Sequence, residues 1–221
     1  MRSIIMYCKT PTIAFHAAKV CIVATGTLFS TILLSAHASP VAPAGRLISA
    51  VSVKASSDQN NSVKRLIDGL GLTETGTGTG VFVQTNDKYA NGATMWNAAA
   101  RNGKADYHAW LVFDLGKTYR IRGLHVWNFN ENYGGDYTGR GVKQVVISAS
   151  ITGKVFSPAA ILTFQKATGQ SDDTGEEYPF PKTIKARLIK FQIKSNYMGR
   201  DVPGLSAVQF RVAGAGQHRS R

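Results

Sequence analysis

The sequence predicts one all-β domain, a β-sandwich or jelly roll, behind a cleavable N-terminal leader. Three observations carry this. Short segments in which apolar and polar residues alternate recur through the second half of the chain. Clusters of Gly, Asn, Asp, Ser and Thr separate them. No long segment keeps its apolar residues at helical spacing.

Taken in order, the first element is a modest helix over 62–67, stopped by Asp68-Gly69. The Thr/Gly stretch 73–80 lacks the preceding strand, the following helix and the terminal Lys-Ser/Thr of a phosphate loop, and reads as a surface loop. Leu111, Phe113 and Leu115 alternate around Asp114 and close on Gly116. Residues 124–127, 142–148 and 161–165 are further strands, separated by turn clusters at 132–136, 152–153 and 169–175. Ile189, Phe191 and Ile193 alternate with Lys190, Gln192 and Lys194, and Val208, Phe210 and Val212 alternate with Gln209 and Arg211. Both patterns describe half-buried strands.

The leader occupies residues 1–38. Arg2, Lys9 and Lys19 charge it, an apolar run fills 20–34, and Ser35-Ala36-His37-Ala38 is a small-x-small cleavage site. The run is about 15 residues, broken by Thr, Ser and Gly, against the roughly 20 that an uncleaved anchor needs. The expectation is a secreted or periplasmic protein with no transmembrane segment after cleavage. Cys8 and Cys21 both lie in the leader, so the mature chain has no disulfide, cysteine nucleophile or thiolate metal site. Residues 39–46 read as a linker, 47–212 as the domain, and 213–221 as a disordered tail.

The chain carries 26 Lys and Arg against 13 Asp and Glu, a formal net charge of +13. Three of the cations belong to the leader, so the mature form stays near +10. This balance fits a solvated surface and also admits an anionic polysaccharide or lipid surface as partner. Lys182, Lys185, Arg187, Lys190, Lys194 and Arg200 gather late, with Lys190 and Lys194 on one strand face. No aromatic residues interleave on that face, so it lacks stacking platforms for single-stranded nucleic acid, which is not an expected partner.

Several local patterns follow one another in a fixed order. They are Leu66-Ile-Asp-Gly-Leu-Gly-Leu72, Thr94-Met-Trp96, Ala109-Trp-Leu-Val-Phe-Asp-Leu-Gly116, and Ile121-Arg-Gly-Leu-His-Val-Trp-Asn-Phe-Asn130. Thr138-Gly-Arg-Gly-Val-Lys-Gln-Val145, Ala186-Arg-Leu-Ile-Lys-Phe191 and Gly204-Leu-Ser-Ala-Val-Gln-Phe210 complete the series. This order resembles the discoidin, or coagulation factor 5/8 type C, domain of the galactose-binding-like superfamily in its secreted bacterial form. The resemblance covers about residues 50–212. It implies an eight-stranded antiparallel jelly roll whose loops at one end take a ligand. That ligand is typically carbohydrate and in some members phospholipid or protein, and such domains are seldom catalytic.

The resemblance also implies a structural calcium ion near the Asp-Gly turn. Its ligands would be Asp68, the carbonyls of Leu66 and Leu70, and Thr94. The family's acidic ligand in the last strand is replaced here by Ala207, which removes a carboxylate that hard Ca²⁺ favours. The other reading of Asp68 is a side-chain cap on its own turn.

A sugar site needs an aromatic face for the apolar side of the ring and amide or charged groups for its hydroxyls. Residues 127–140 offer that mixture, and Asn130, Asn132, Tyr133 and Tyr137 are the expected contacts, with Arg140. Trp127 and Phe129 also fit core positions, and Arg140 an ion-pairing one. The segment with Asn196, Tyr197 and Arg200 is expected at the same end of the barrel. For catalysis, the mature chain holds only His108, His125 and His218, with neither a His-Glu-x-x-His nor a Gly-x-Ser-x-Gly pattern. The expected function is a non-catalytic carbohydrate-binding module. The alternative is an adhesion or structural protein of the envelope or matrix that binds protein, anionic lipid or polysaccharide. A glycoside hydrolase has the least support.

Overall fold

Two β-sheets face each other across an aromatic core in the computed structural model, which describes residues 45–60, 62–76, 81–84, 94–101, 104–199 and 201–214. All of these belong to one compact unit, Pro40–Arg221. The leader, most of the linker, the 77–80 part of the Thr/Gly loop, Arg200 and most of the tail lie outside the described residues.

The strands are β1 (Arg46–Ile48), β2 (Ser52–Ala55), β3 (Leu72–Glu74), β4 (Phe82–Gln84), β5 (Trp96–Asn97), β6 (Ala100–Arg101), β7 (Lys104–Ala105), β8 (Trp110–Asn128), β9 (Val142–Ser150), β10 (Ser157–Thr163), β11 (Glu176–Asn196) and β12 (Gly204–Val212). One hydrogen-bonded path of eight strands runs β1-β12-β8-β11-β9-β10, with β2 added to β8 and β5 to β12. Every strand pair in it is antiparallel.

The path closes over itself because β8 and β11 are long and bent. The first half of β8 pairs with β2 and the end of β11, whereas its second half pairs with β12 and the start of β11. Pairing shifts between Ala186↔Tyr119 and Leu188↔Asp114. The bend sits at Gly116, whose φ of 80° is in the left-handed region that side chains avoid. The side chain of Asp114 steadies it by accepting the Gly116 N–H at 2.8 Å. The two separate strands expected at 111–115 and 124–127 are therefore one continuous element.

Alternation along these strands aims one face inward. Phe113 and Phe191 stand 5.0 Å apart on one sheet, and Phe113 meets Phe210 of the other at 5.3 Å. Leu111, Ile147, Ile189, Ile193, Leu124 and Val208 fill the space around them with no exposed surface. Each such side chain stabilises the fold by about 1.5–3 kcal/mol, and this burial takes the place of disulfides. The expected helix over 62–67 is a single turn, α1 (Arg65–Asp68), ended by Gly69 with φ 74°. Asp58 anchors the chain before it, accepting the N–H groups of Ser62 and Val63. No helix among the described residues is long and apolar enough to cross a membrane.

Candidate functional site

Because β8 and β11 fold over, the loops that leave the two sheets meet at one end. Asn128 fastens them. Its amide donates to the carbonyls of Val142 at 2.8 Å and Gln165 at 2.7 Å, and its carbonyl accepts the Phe129 N–H. Gly204 lets the start of β12 come in close, since a Cβ there would stand 2.4 Å from the Phe129 ring. The end surface is thus built from 129–141, 164–175, 197–199 and the 105–109 approach to β8.

The loop 129–141 is held at its base and open at its tip. Asn130 is fully buried; it accepts the Gly169 N–H at 2.7 Å and donates to the Gln170 carbonyl at 2.8 Å. It was expected among the ligand contacts and instead braces one loop against another, because both ends of its amide face backbone partners. Arg140 also differs from expectation as a contact. Its Nε donates to Asp201 at 2.8 Å, Glu131 lies 3.7 Å away, and its guanidinium covers one face of Tyr137 at 4.9 Å. Asn196 is a third brace, donating to the Asp201 carbonyl and accepting the Gly199 N–H. Tyr197 is half-buried, donates to the Phe164 carbonyl and lies under the Lys143 ammonium at 5.4 Å. Trp127 and Phe129 are core residues.

Beyond these braces stand Asn132, Tyr133 and Asp136, all exposed, with Tyr133 at 51%. Asn132 donates to the Gly169 carbonyl at 3.1 Å and is otherwise exposed. Asp136 receives hydrogen bonds from Thr138 and from Lys166 at 3.1 Å. The Thr138 hydroxyl bond holds its carboxyl below the usual range; burial pushes the other way, and the Lys166 bond and charge and the Thr138 N–H add to the lowering. Tyr137 is half-buried, with Arg140 over its ring and Gly135 beside it.

Two hollows open at this end of the sandwich. One of about 190 Å³ lies between 165–175 and the sheet, lined by Gln165, Lys166, Thr168, Asp172 and Asp173. The other, about 180 Å³, is lined by Tyr107, His108, Lys194, Asn196 and Gly199. The polar cluster 169–175 was legible only as a turn, since nothing local shows that it folds back over β8.

The residues expected to hold calcium do not fit that ion. Asp68 receives Arg65 at 2.9 Å on one oxygen and the Leu70 N–H at 2.9 Å on the other, so it caps its own turn. Thr94 packs against Gly71, and Ala207 brings no carboxylate. A lone carboxylate already paired with a guanidinium is a poor donor set for Ca²⁺. No group of three or more His, Cys, Asp or Glu able to hold a metal occurs among the described residues.

Comparison with known proteins gives one family and a set of related folds. The F5/8 type C domain matches residues 52–203. Among solved structures, CBM32-3 from a family 31 glycoside hydrolase of Clostridium perfringens superposes with a TM-score of 0.50 at 13% identity, covering 76% of this chain and 91% of that one. CpGH89CBM32-5 of the same organism, in complex with GalNAc-β-1,3-galactose, gives 0.50 at 14% identity, covering 73% and 94%. At such identities the likeness is one of fold. No curated protein matches the chain.

Proposed function

This chain belongs to the F5/8 type C domain family, and we propose that it is an exported, non-catalytic carbohydrate-binding module that takes a neutral glycan on the loop end of its sandwich. The observation that carries this is the presentation of Tyr133. Its ring stands exposed on a loop that Asn130, Asn132 and Asp136 pin on both sides, so little order has to be imposed when a ligand arrives. The ring takes the apolar face of a pyranose, while the Asn132 amide, Asp136 and Lys166 meet its hydroxyls. Such a site is a few placed polar groups around an apolar platform.

A neutral sugar is favoured by Asp172 and Asp173 in the adjoining hollow, where a uronate would meet like charge, whereas Glu131, Asp136 and Asp201 are already matched by Arg140 and Lys166. The CpGH89CBM32-5 module, solved with GalNAc-β-1,3-galactose, supports the ligand class. Export rests on the leader pattern of residues 1–38.

The test is a glycan array with the mature protein, followed by calorimetry with the best neutral oligosaccharide. Tyr133→Ala is expected to weaken binding about tenfold or more, near 1.4 kcal/mol, with an unchanged melting temperature. Retention of no glycan by the wild type, or equal binding by the variant, overturns the proposal.

A further inference from the structure

The opposite end of the sandwich is built of different chemistry. Three hollows there run into one another. The first, about 410 Å³, lies between the 149–159 turn and the 182–185 segment. The second, about 150 Å³, shares Thr183, Ile184 and Lys185 with it and adds Arg120. The third, about 500 Å³, continues from Arg120 to Arg46 beside Thr118, Tyr119 and Val212. Arg46, Arg120, Lys182 and Lys185 line this sequence, and its described lining contains no Asp or Glu.

Two features show that these cations are placed against the preference of the fold. Lys185 and Arg120 are direct cross-strand partners, and like charges in that position destabilise a sheet. No ion pair relieves them among the described residues. Beside them the pairing of β11 with β8 breaks between Pro179 and Ile184, and this irregularity carries Lys182 out of the ladder. The acid on the neighbouring part of β8, Asp114, is committed to Arg187 through both oxygens at 2.9 and 2.8 Å. It cannot also neutralise the groove.

We propose that this groove binds a linear acidic polysaccharide, one carboxylate- or sulfate-bearing sugar after another along Lys182, Lys185, Arg120 and Arg46. A chain fits three successive hollows better than an isolated anion does. The exposed Ile151 and Val155 at the first hollow give its rings an apolar wall. Nucleic acid fits less well, because bases need stacking platforms. The aromatic residue in the lining, Tyr119, has the Lys117 ammonium over its ring at 5.4 Å. This site is separate from the neutral-glycan surface at the loop end, and either can fail without the other.

The experiment is affinity electrophoresis of the mature protein in gels containing polygalacturonate, heparin or neutral dextran. Parallel arms use single-stranded DNA and phosphatidylglycerol vesicles. Wild type is expected to be retarded by one or both acidic polysaccharides and not by dextran, with retardation fading as salt rises. The double variant Arg120→Ser, Lys185→Ser is expected to bind about tenfold more weakly. Its melting temperature should be unchanged or higher, since the like-charge pair is gone. Lys54→Ser, Lys64→Ser removes equal charge from exposed positions outside the groove and should retain binding. The proposal is overturned if neither acidic polysaccharide binds, if the two double variants lose binding equally, or if DNA or vesicles bind as well as the polysaccharides.

Discussion

Glu177 shows how much one side chain holds on the outer face of the second sheet. His125 Nδ1 lies 2.8 Å from its carboxylate, and Arg211 donates to both carboxylate oxygens. His125 Nε2 in turn lies 2.8 Å from the Thr174 carbonyl, and the imidazole packs on Trp127 at 4.2 Å. The cluster therefore ties β8, β11, β12 and the 165–175 loop together. Burial works to raise the Glu177 pKa, but the hydrogen bonds and charges of His125 and Arg211 outweigh it and bring it down to about 2. A depressed carboxylate contributes stability that is complete above its unfolded value near 4.5 and is lost as pH falls toward 2. Glu177→Gln should accordingly cost about 2–3 kcal/mol at pH 7 and much less at pH 3. Thermal melts of both proteins across that range give the check, and a gap that does not narrow in acid would refute this account. Asp68 yields a second residue-scale expectation. As a turn cap paired with Arg65, it predicts coincident melts in millimolar Ca²⁺ and in chelator; a clear upward shift with Ca²⁺ would contradict it.

At the scale of elements, the loop end works because three connections brace one another. Asn130 is the clearest case: its buried amide satisfies a backbone N–H and a backbone carbonyl of the 164–175 segment at once. Asn130→Ala leaves both without their partner; the buried Gly169 N–H then costs about 1–3 kcal/mol, whereas the carbonyl of the exposed Gln170 can turn to water. The expected result is a loss of about 1–3 kcal/mol in urea unfolding, together with weaker glycan binding through the displaced loop. An unfolding midpoint within error of wild type would show that the brace is dispensable. The strands were readable because a half-buried strand alternates with period two, so Leu111, Phe113 and Leu115, or Ile189, Phe191 and Ile193, declare their inward face locally. The bracing role of Asn130 was not legible, because an amide in a polar loop carries no local mark of burial. Its partners stand 39 and 40 residues further along.

For the whole molecule, the two ends differ in how their charges are matched. At the loop end Glu131, Asp136 and Asp201 meet Arg140 and Lys166, whereas Arg46, Arg120, Lys182 and Lys185 line a far groove whose described lining has no acid. A net charge of +13 is thus a poor guide to where an anion goes, since the potential near each site depends on its own neighbours. The core is independent of this division, being apolar and shared by both sheets.

The amino-acid sequence alone determined the all-β class, the inward faces of the main strands and membership of the domain family. All of these are set by residue type and short-range periodicity. Tertiary structure alone decided that β8 and β11 each run continuously from one sheet to the other, because the bend at Gly116 matters only once partner strands pass on either side. It also decided which polar residues are braces and which are open. Asn130 and Arg140 spend their hydrogen bonds on segments distant in sequence, Asn196 on its own turn, and Tyr133 is left exposed.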